Sequence, residues 1–261
     1  MSFLKHIKEL LNRSRTIIMA IVISTIIVMV LPISLDFSNT SVINPYYQTI
    51  TSFTIRNIQE KFLPVEAELI PLDFLAPLEV FVFVALILGI TISSPVISYE
   101  IYKFLNPALY KHERKMALQF VASFVGLFIT GFLFGYFYVV PISMRTIFIF
   151  SDMLNLPPTY AFSEFFSLVG FALLACGLLF TLPTFLVLLV KAGILETSSL
   201  TGNRKYLYGG LIIVIALIDP DPGLVTEALI FLPLVIITEI SILVAKRIER
   251  NRKASEEAVD D

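Results

Sequence analysis

Residues 116–140 read MALQFVASFVGLFITGFLFGYFYVV, a stretch of 25 residues without a charged side chain. An α-helix rises about 1.5 Å per residue, so roughly 20 apolar residues cross the about 30 Å hydrocarbon core of a bilayer. The stretch is therefore long enough for one complete crossing. It predicts a transmembrane helix, and this prediction sets the fold class of the whole chain.

Five further stretches on either side have a similar character, and they lie at residues 17–35, 78–97, 165–190, 206–218 and 224–245. The stretch 206–218 would form a helix of only about 20 Å, which is short for the hydrocarbon core. The stretch 224–245 contains Glu227 and Glu239. A re-entrant hairpin is an alternative for this last pair, but we interpret both as crossings, with local thinning of the bilayer around the shorter helix. The prediction is an all-α integral membrane protein with six tilted helices.

The composition excludes several classes of protein. Hydrophobic residues make up 57% of the chain, charged residues 15%, and the mean hydropathy is +0.86. These values argue against a disordered chain, a nucleic-acid-binding protein and an ordinary cytosolic enzyme. One Cys and two His leave no disulfide framework and no set of zinc ligands. The chain also lacks a Walker-type loop, a G-x-S-x-G elbow and an H-E-x-x-H pair, so neither a metal nor a cofactor is expected.

Basic residues predict the orientation in the membrane. The N-terminal segment, the second and fourth loops and the C-terminal tail together contain 16 Lys and Arg, whereas the other three loops contain 3. Because positive residues near span ends remain in the cytoplasm, both termini are expected there. Residues 1–248 then form one transmembrane domain that retains its first span. The charged tail, 249–261, is predicted to be disordered. In the first external loop, the amphipathic stretch 46–62 predicts a short interfacial helix.

The most specific motif joins the second and third predicted spans. Residues 107–114 read PALYKHER, and this run resembles the signature of the TatC family, the core membrane subunit of the twin-arginine protein translocase. Residues 5–10, KHIKEL, are similar to the family's N-terminal H-L-x-E-L-R motif. Weaker similarities occur at Asn44-Pro45, Ala76-Pro77, Phe134-Gly-Tyr-Phe137, Pro141 and Asp219-Pro-Asp-Pro222.

The resemblance implies both a fold and a function. The six helices are expected to form a concave, cup-like scaffold. The chain is expected to be a receptor for signal peptides with two consecutive arginines, and not an enzyme. It would act in the cytoplasmic membrane within an oligomeric complex, together with single-span TatA/TatB-type subunits and membrane lipids and without nucleic acid. Transport of folded proteins would use the proton-motive force.

Two carboxylates at the predicted cytoplasmic face fit that role. A signal peptide with paired arginines presents two planar guanidinium groups, for which carboxylates are bidentate partners. Glu9 lies just before the first span and Glu113 just before the third, so we predict that they bind the signal peptide. The predicted supporting residues are Lys111, His112, Arg114 and Arg13. The alternatives are an intrahelical pair between Glu9 and Arg13, and pairing of Glu113 with its basic neighbours.

Other polar residues and prolines complete the prediction. Thr226 and Glu227, at the outer end of the last span, are candidate contacts for the single-span partners. Glu239 lies within that span, where an ionisable group is costly and is expected to be protonated or paired across helices. A purely structural hydrogen bond is the alternative for it. The remaining intramembrane polar or structural candidates are Thr181, Asp221, Pro45, Pro95 and Pro107.

The sequence departs from the family pattern at several positions. Leu11 occupies a position at which the N-terminal motif usually has arginine. Thr181 replaces a glutamate or glutamine, and Asp219 replaces a proline. Two competing functions remain, a small-solute secondary transporter and an intramembrane hydrolase. Few intramembrane charges and no visible repeat disfavour the transporter, and the absence of a nucleophile–base pair or metal set within the spans disfavours the hydrolase.

Overall fold

The computed structural model describes residues 3–32, 48–64, 66–105, 114–218 and 224–260, and helix dominates these ranges. The helices are α1 (Phe3–Val30), α2 (Ile50–Phe62), α3 (Ala76–Leu105), α4 (Arg114–Phe134), α5 (Val140–Met153), α6 (Phe162–Lys191), α7 (Thr197–Gly202), α8 (Arg204–Ile218) and α9 (Leu224–Asp260). A π-helical turn, Gly135–Val139, connects α4 to α5. Two short strands are β1 (Glu68–Ile70) and β2 (Thr159–Ala161).

Five helical segments in the described ranges are long and apolar enough to cross a membrane, and they cover residues 8–30, 76–104, 117–153, 162–191 and 226–250. They confirm an α-helical, multi-pass membrane protein. The helix α8 has only 15 residues, about 22 Å, and does not reach the length of a full crossing. The sixth crossing, and with it the placement of both termini, stays a prediction.

Three predicted boundaries differ from the structure. The first span ends at Val30 and not at residue 35, because Pro32 disfavours helical geometry at the residue before it. The third span continues past residue 140 to Met153, since the π-helical turn shifts the hydrogen-bond register just before Pro141. The helix α9 continues to Asp260, so the tail predicted to be disordered is helical. Its Glu, Arg, Lys and Ala residues are strong helix formers.

The helix predicted within residues 46–62 is present as α2, and its position at the outer interface stays a prediction. Its N-terminus is capped by Thr49, whose side-chain oxygen accepts a hydrogen bond from the Ser52 N–H at 3.1 Å. Residues after α2 form β1, which pairs in parallel with β2, and Leu69 lies opposite Tyr160. Strands of three residues are too short for a period of two to be detected in the sequence, and the all-α prediction omitted them.

The described chain divides into two compact units, of which the first comprises residues 1–97 and 140–171. Within it, α1 and α3 meet through small side chains. A Cβ atom at Gly89 would lie 2.2 Å from Thr25 Oγ1 and 2.9 Å from the Thr25 amide nitrogen, so only glycine permits this approach. The hydroxyl oxygens of Ser93 and Ser24 lie 3.0 Å apart at the same contact. Close backbone packing of this kind is typical of helix association in membranes.

The second unit comprises residues 98–139 and 172–261. Its main core joins the end of α4 and its π-helical turn with α6, α8 and α9, and includes the buried residues Val139, Cys176, Leu179, Phe180, Leu211, Ile215, Ile230 and Leu234. At Gly131 a Cβ atom would lie 2.4 Å from the Cys176 carbonyl oxygen. The helices α4 and α6 are therefore in backbone contact. Cys176 is a small buried residue of this core.

Candidate functional site

Glu9 lies on the first turns of α1 in the first unit. Its carboxylate forms an ion pair with Arg13 one turn later, at 2.5 Å between Oε1 and Nη2. The Glu9 side chain is 33% exposed and the Arg13 side chain 13% exposed. The structure thus contains the intrahelical pair that was the alternative for Glu9. Pairs of this spacing within one helix contribute about 0.2–0.5 kcal/mol.

The motif that carries the family resemblance lies mostly outside the described residues. Lys111, His112, Glu113 and Pro107 belong to this part, and Arg114 is described only as the first residue of α4. The helix ends on both sides are well packed in the second unit. The Tyr102 ring, near the end of α3, lies 5.6 Å from the Phe120 ring of α4, and both belong to a buried cluster with Phe124 and Leu188. This cluster packs the end of α3 against α4, the two helices that the motif connects.

Glu239 is paired across two helices in the second unit. The Tyr208 hydroxyl donates a hydrogen bond to Glu239 Oε1. Arg204 Nη2 lies 3.1 Å from Glu239 Oε2, and the two side chains are 48% and 32% exposed. Arg204 and Tyr208 are four residues apart on α8, so they face the same side of that helix. Of the possibilities raised for Glu239, the structure shows pairing across helices.

Neither partner of Glu239 was recognised from the sequence. Arg204 was counted only as a loop charge, and Tyr208 lay in the predicted fifth span. The spacing of an arginine and a tyrosine by four residues at the start of a span was the available signal. A carboxylate 31 residues downstream is not connected to it by any local pattern.

Thr226 and Glu227 occupy different environments on α9. The Thr226 side chain is fully buried, whereas Glu227 lines a small pocket of about 220 Å³ with Ile212 and Phe231. A partner helix that approached this surface would therefore meet Glu227 and the apolar residues around it. Thr226 packs inside the unit and does not present its side chain to a partner.

The remaining structural candidates are described only in part. Thr181 is buried in α6, and its hydroxyl donates to the Leu178 carbonyl oxygen at 2.7 Å, two residues before Pro183. The hydrogen bond of the Thr181 hydroxyl is therefore made within its own helix. Pro95 lies inside α3, which continues through it to Leu105. Pro45 and Asp221 lie outside the described residues.

The buried carboxylate of Glu249 was not anticipated. Glu249 is 7% exposed and accepts hydrogen bonds from the Thr197 N–H, at 3.0 Å, and from the Thr197 hydroxyl. Thr197 begins α7, so a side chain of α9 caps the N-terminus of another helix. The prediction of a disordered tail from residue 249 concealed this contact.

The described residues contain no cluster of His, Cys, Asp or Glu that would hold a metal ion. Glu9 and Glu239 pair with arginines, Glu239 also accepts a hydrogen bond from Tyr208, and Glu249 accepts hydrogen bonds from Thr197. The arrangement offers carboxylates for cationic ligands and apolar surfaces for helices. It is suited to binding.

Comparisons with known proteins agree with the resemblance found in the sequence. The family model described as Sec-independent protein translocase protein (TatC) matches residues 5–233. The TatCy protein of Bacillus subtilis is 36% identical over 71% of this chain and 72% of its own length. The TatC protein of Aquifex aeolicus is 33% identical over 74% of this chain and 80% of its own length.

Solved structures give the same answer. A crystal structure described as the twin-arginine translocase receptor TatC matches with a TM-score of 0.71 and 29% identity, covering 93% of this chain and 99% of the matched one. A second crystal structure of the receptor, in the detergent DDM, matches with a TM-score of 0.73 and 28% identity over 92% of this chain and 99% of the other.

Proposed function

The chain belongs to the TatC family of Sec-independent protein translocases, and from this we propose that it is the signal-peptide receptor of a twin-arginine translocase in the cytoplasmic membrane. The observation that carries the proposal is the match of 93% of the chain to a twin-arginine translocase receptor. The ligand is a precursor with two consecutive arginines. The chain binds it without chemical conversion, within an oligomeric complex that moves folded proteins at the expense of the proton-motive force.

We propose that Glu9 and Glu113 each take one guanidinium group of the ligand. Glu9 is suited to this contact because its side chain is 33% exposed on the first turns of α1 and already binds a guanidinium group, that of Arg13. A partly desolvated, charge-assisted contact with the ligand contributes about 1.5–3 kcal/mol. Lys111, His112 and Arg114 shape the connection between α3 and α4 or bind lipid headgroups. Apolar docking of the signal's hydrophobic segment supplies the remaining affinity.

Photo-crosslinking tests this proposal with the full chain in membranes. A precursor with the native Arg-Arg signal is compared with an Arg-Arg to Lys-Lys version, which keeps both charges but loses the planar forks. We expect strong crosslinking of the first and weak crosslinking of the second. Glu113→Gln should reduce crosslinking of the native signal by about tenfold. The control Glu196→Gln, an exposed carboxylate of the fourth loop, should have no effect.

Equal crosslinking of both signals, together with wild-type behaviour of Glu113→Gln, would contradict the receptor assignment. Ion-coupled transport of a small solute by the purified chain in vesicles, without partners, would favour the transporter instead. Loss of crosslinking in the Glu196→Gln control as well would mean that the variants act through general misfolding.

We also propose that the surface around Glu227 on α8 and α9 receives the single-span TatA/TatB-type subunit. Ile212 and Phe231 give this surface apolar contacts, and Glu227 gives it one polar contact. Cysteine crosslinking between Glu227→Cys and a cysteine scan of the partner helix tests this. Crosslinks should appear at Glu227→Cys and be absent at the buried Thr226→Cys. The reverse pattern would remove this surface from consideration.

A further inference from the structure

The second unit contains a cavity of about 760 Å³ between four helices. It lies between the halves of these helices that are predicted to be nearer the cytoplasm. Gln119 and Leu127 line it from α4, Thr184 and Lys191 from α6, and Ile237 and Ile248 mark its extent along α9. These positions span about 10–17 Å along each helix. We propose that this cavity binds one anionic phospholipid, with an acyl chain in the apolar part and the phosphate at Lys191.

The charge distribution favours an anion. Among the lining residues, all of which lie in the described part of the chain, Lys191 is the only charged one, and no carboxylate lines the cavity. Lys191 is the last residue of α6. Because helix side chains lean toward the N-terminus, the Lys191 side chain leans back toward the cavity. A cation at the rim of an apolar cavity between transmembrane helices is suited to a lipid phosphate.

A buried hydroxyl group gives independent support. The Thr184 side chain is 6% exposed, and its Oγ1 atom has no hydrogen-bond partner within the described residues. An unsatisfied polar group is costly in a membrane, where water is absent. Thr184 lines the cavity two turns from Lys191. An ester carbonyl of a lipid would accept the hydrogen bond that Thr184 lacks.

The size of the cavity distinguishes a lipid from a peptide helix. A membrane-spanning helix about 10 Å across and 30 Å long occupies roughly 2,400 Å³. The cavity offers about 760 Å³, which such a helix would fill within about two turns. A single acyl chain is thinner and flexible, and it follows the groove without requiring the helices to separate. The volume therefore favours a lipid acyl chain over the apolar segment of a signal peptide.

Gly126 provides a direct way to block the cavity. It lines the cavity, and no atom lies within 4 Å of the position that its Cβ would occupy. Gly126→Leu therefore adds a side chain at the cavity wall whose Cβ meets no neighbouring atom. Gly210 is a matched control, because its Cβ position on α8 is equally open and does not line the cavity. For the charge, Lys191→Gln is matched by Lys205→Gln, an exposed lysine elsewhere in the same unit.

Native mass spectrometry of the delipidated full chain in detergent, titrated with phosphatidylglycerol or phosphatidylcholine, tests the proposal. We expect tighter binding of phosphatidylglycerol, loss of binding in Gly126→Leu, and retention in Gly210→Leu. Lys191→Gln should weaken phosphatidylglycerol binding by about tenfold, as for one charge-assisted hydrogen bond, and Lys205→Gln should not. Thermal unfolding of each variant checks its fold.

Two results would overturn the proposal. The first is phosphatidylglycerol binding by Gly126→Leu and Lys191→Gln at wild-type strength. The second is a photo-crosslinker at position 126 that captures a twin-arginine signal peptide and no lipid. Both results leave the receptor function intact. If Gly126→Leu fails to fold, Lys191→Gln and the ratio of the two lipids still decide the matter.

Discussion

Glu9 and Glu239 are both glutamates that pair with an arginine, yet their partners differ in origin. Arg13 lies on the same helix as Glu9, four residues later. Arg204 and Tyr208 approach Glu239 from a different helix, α8. The pair of Glu9 and Arg13 can open without moving any helix. The contacts of Glu239 with Arg204 and Tyr208 open only when α8 and α9 separate or when both contacts are lost.

This difference separates a binding group from a structural one. A pair within one helix contributes about 0.2–0.5 kcal/mol, so its carboxylate remains available to a better cation. Hydrogen bonds across membrane helices average about 0.6 kcal/mol and reach about 1.7 kcal/mol, and they hold a tertiary contact. We therefore expect the two carboxylates to give opposite results when binding and stability are measured side by side.

The largest expected effect is on binding. Glu9→Gln should lower the affinity for an Arg-Arg precursor by about 1.5–3 kcal/mol, because a charge-assisted contact with one guanidinium group is lost. Precursor binding to the full complex in membranes, measured by titration, gives this value. The free energy of unfolding should change by less than about 0.5 kcal/mol.

Wild-type binding by Glu9→Gln would assign Glu9 to the intrahelical pair alone. Glu60→Gln is a suitable control, since this residue lies on α2 within the predicted external loop. A similar loss in that control would show that the assay detects charge in general and not the proposed site.

Glu239→Ala should have the next largest effect, and on stability. It removes the acceptor of Tyr208 and the partner of Arg204, which together contribute about 1–3 kcal/mol to the free energy of unfolding. Steric trapping or thermal unfolding in detergent measures the change. Precursor affinity per folded molecule should stay at the wild-type level. A loss of affinity with unchanged stability would reverse the roles assigned to the two carboxylates.

Tyr208→Phe isolates one of these contacts. The aromatic ring is retained, and only the hydroxyl that donates to Glu239 is lost, so we expect a destabilisation of about 0.6–1.7 kcal/mol. Tyr206→Phe on the same helix is the matched control, because the Tyr206 side chain is mostly exposed. Equal unfolding free energies for the two variants would mean that the Tyr208 bond is energetically neutral.

The smallest expected effect comes from Arg13→Gln. Arg13 competes with the ligand for the Glu9 carboxylate, so its removal should raise precursor affinity by about 0.3–0.5 kcal/mol, or roughly twofold. Competition binding with paired wild-type and variant samples resolves such a change. A decrease in affinity would indicate that Arg13 helps to position the ligand and does not compete with it.

The main helices could be predicted because an uncharged stretch of about 20 residues has few other uses. The ends of these helices were harder to predict. The uncharged stretch predicts a span that ends at residue 140, but the π-helical turn before Pro141 allows the helix to reach Met153. The tail after residue 248 was judged by its charge, whereas its helix-forming residues extend α9 to Asp260.

The contacts of the polar residues were harder to predict for a physical reason. Sequence shows that Glu239 is costly in a span, but its partners lie 31 and 35 residues upstream. Glu249 caps α7 from a distance of 52 residues. Such pairings depend on which helices are neighbours, and hydropathy does not contain that information. Glu9 and Arg13 could be paired from sequence because their contact is local.

The parallel pairing of β1 with β2 has a consequence for the time course of synthesis. The two strands are about 90 residues apart in the chain, and α3 to α5 lie between them. At about 5–20 residues per second, the ribosome needs roughly 5–20 s to produce β2 after β1. During this interval the β1 backbone has no strand to pair with. The crossings formed by α3 and by α4 with α5 are synthesised in the same interval. The strand pair can therefore form only late in synthesis, after the segment that contains α3 to α5.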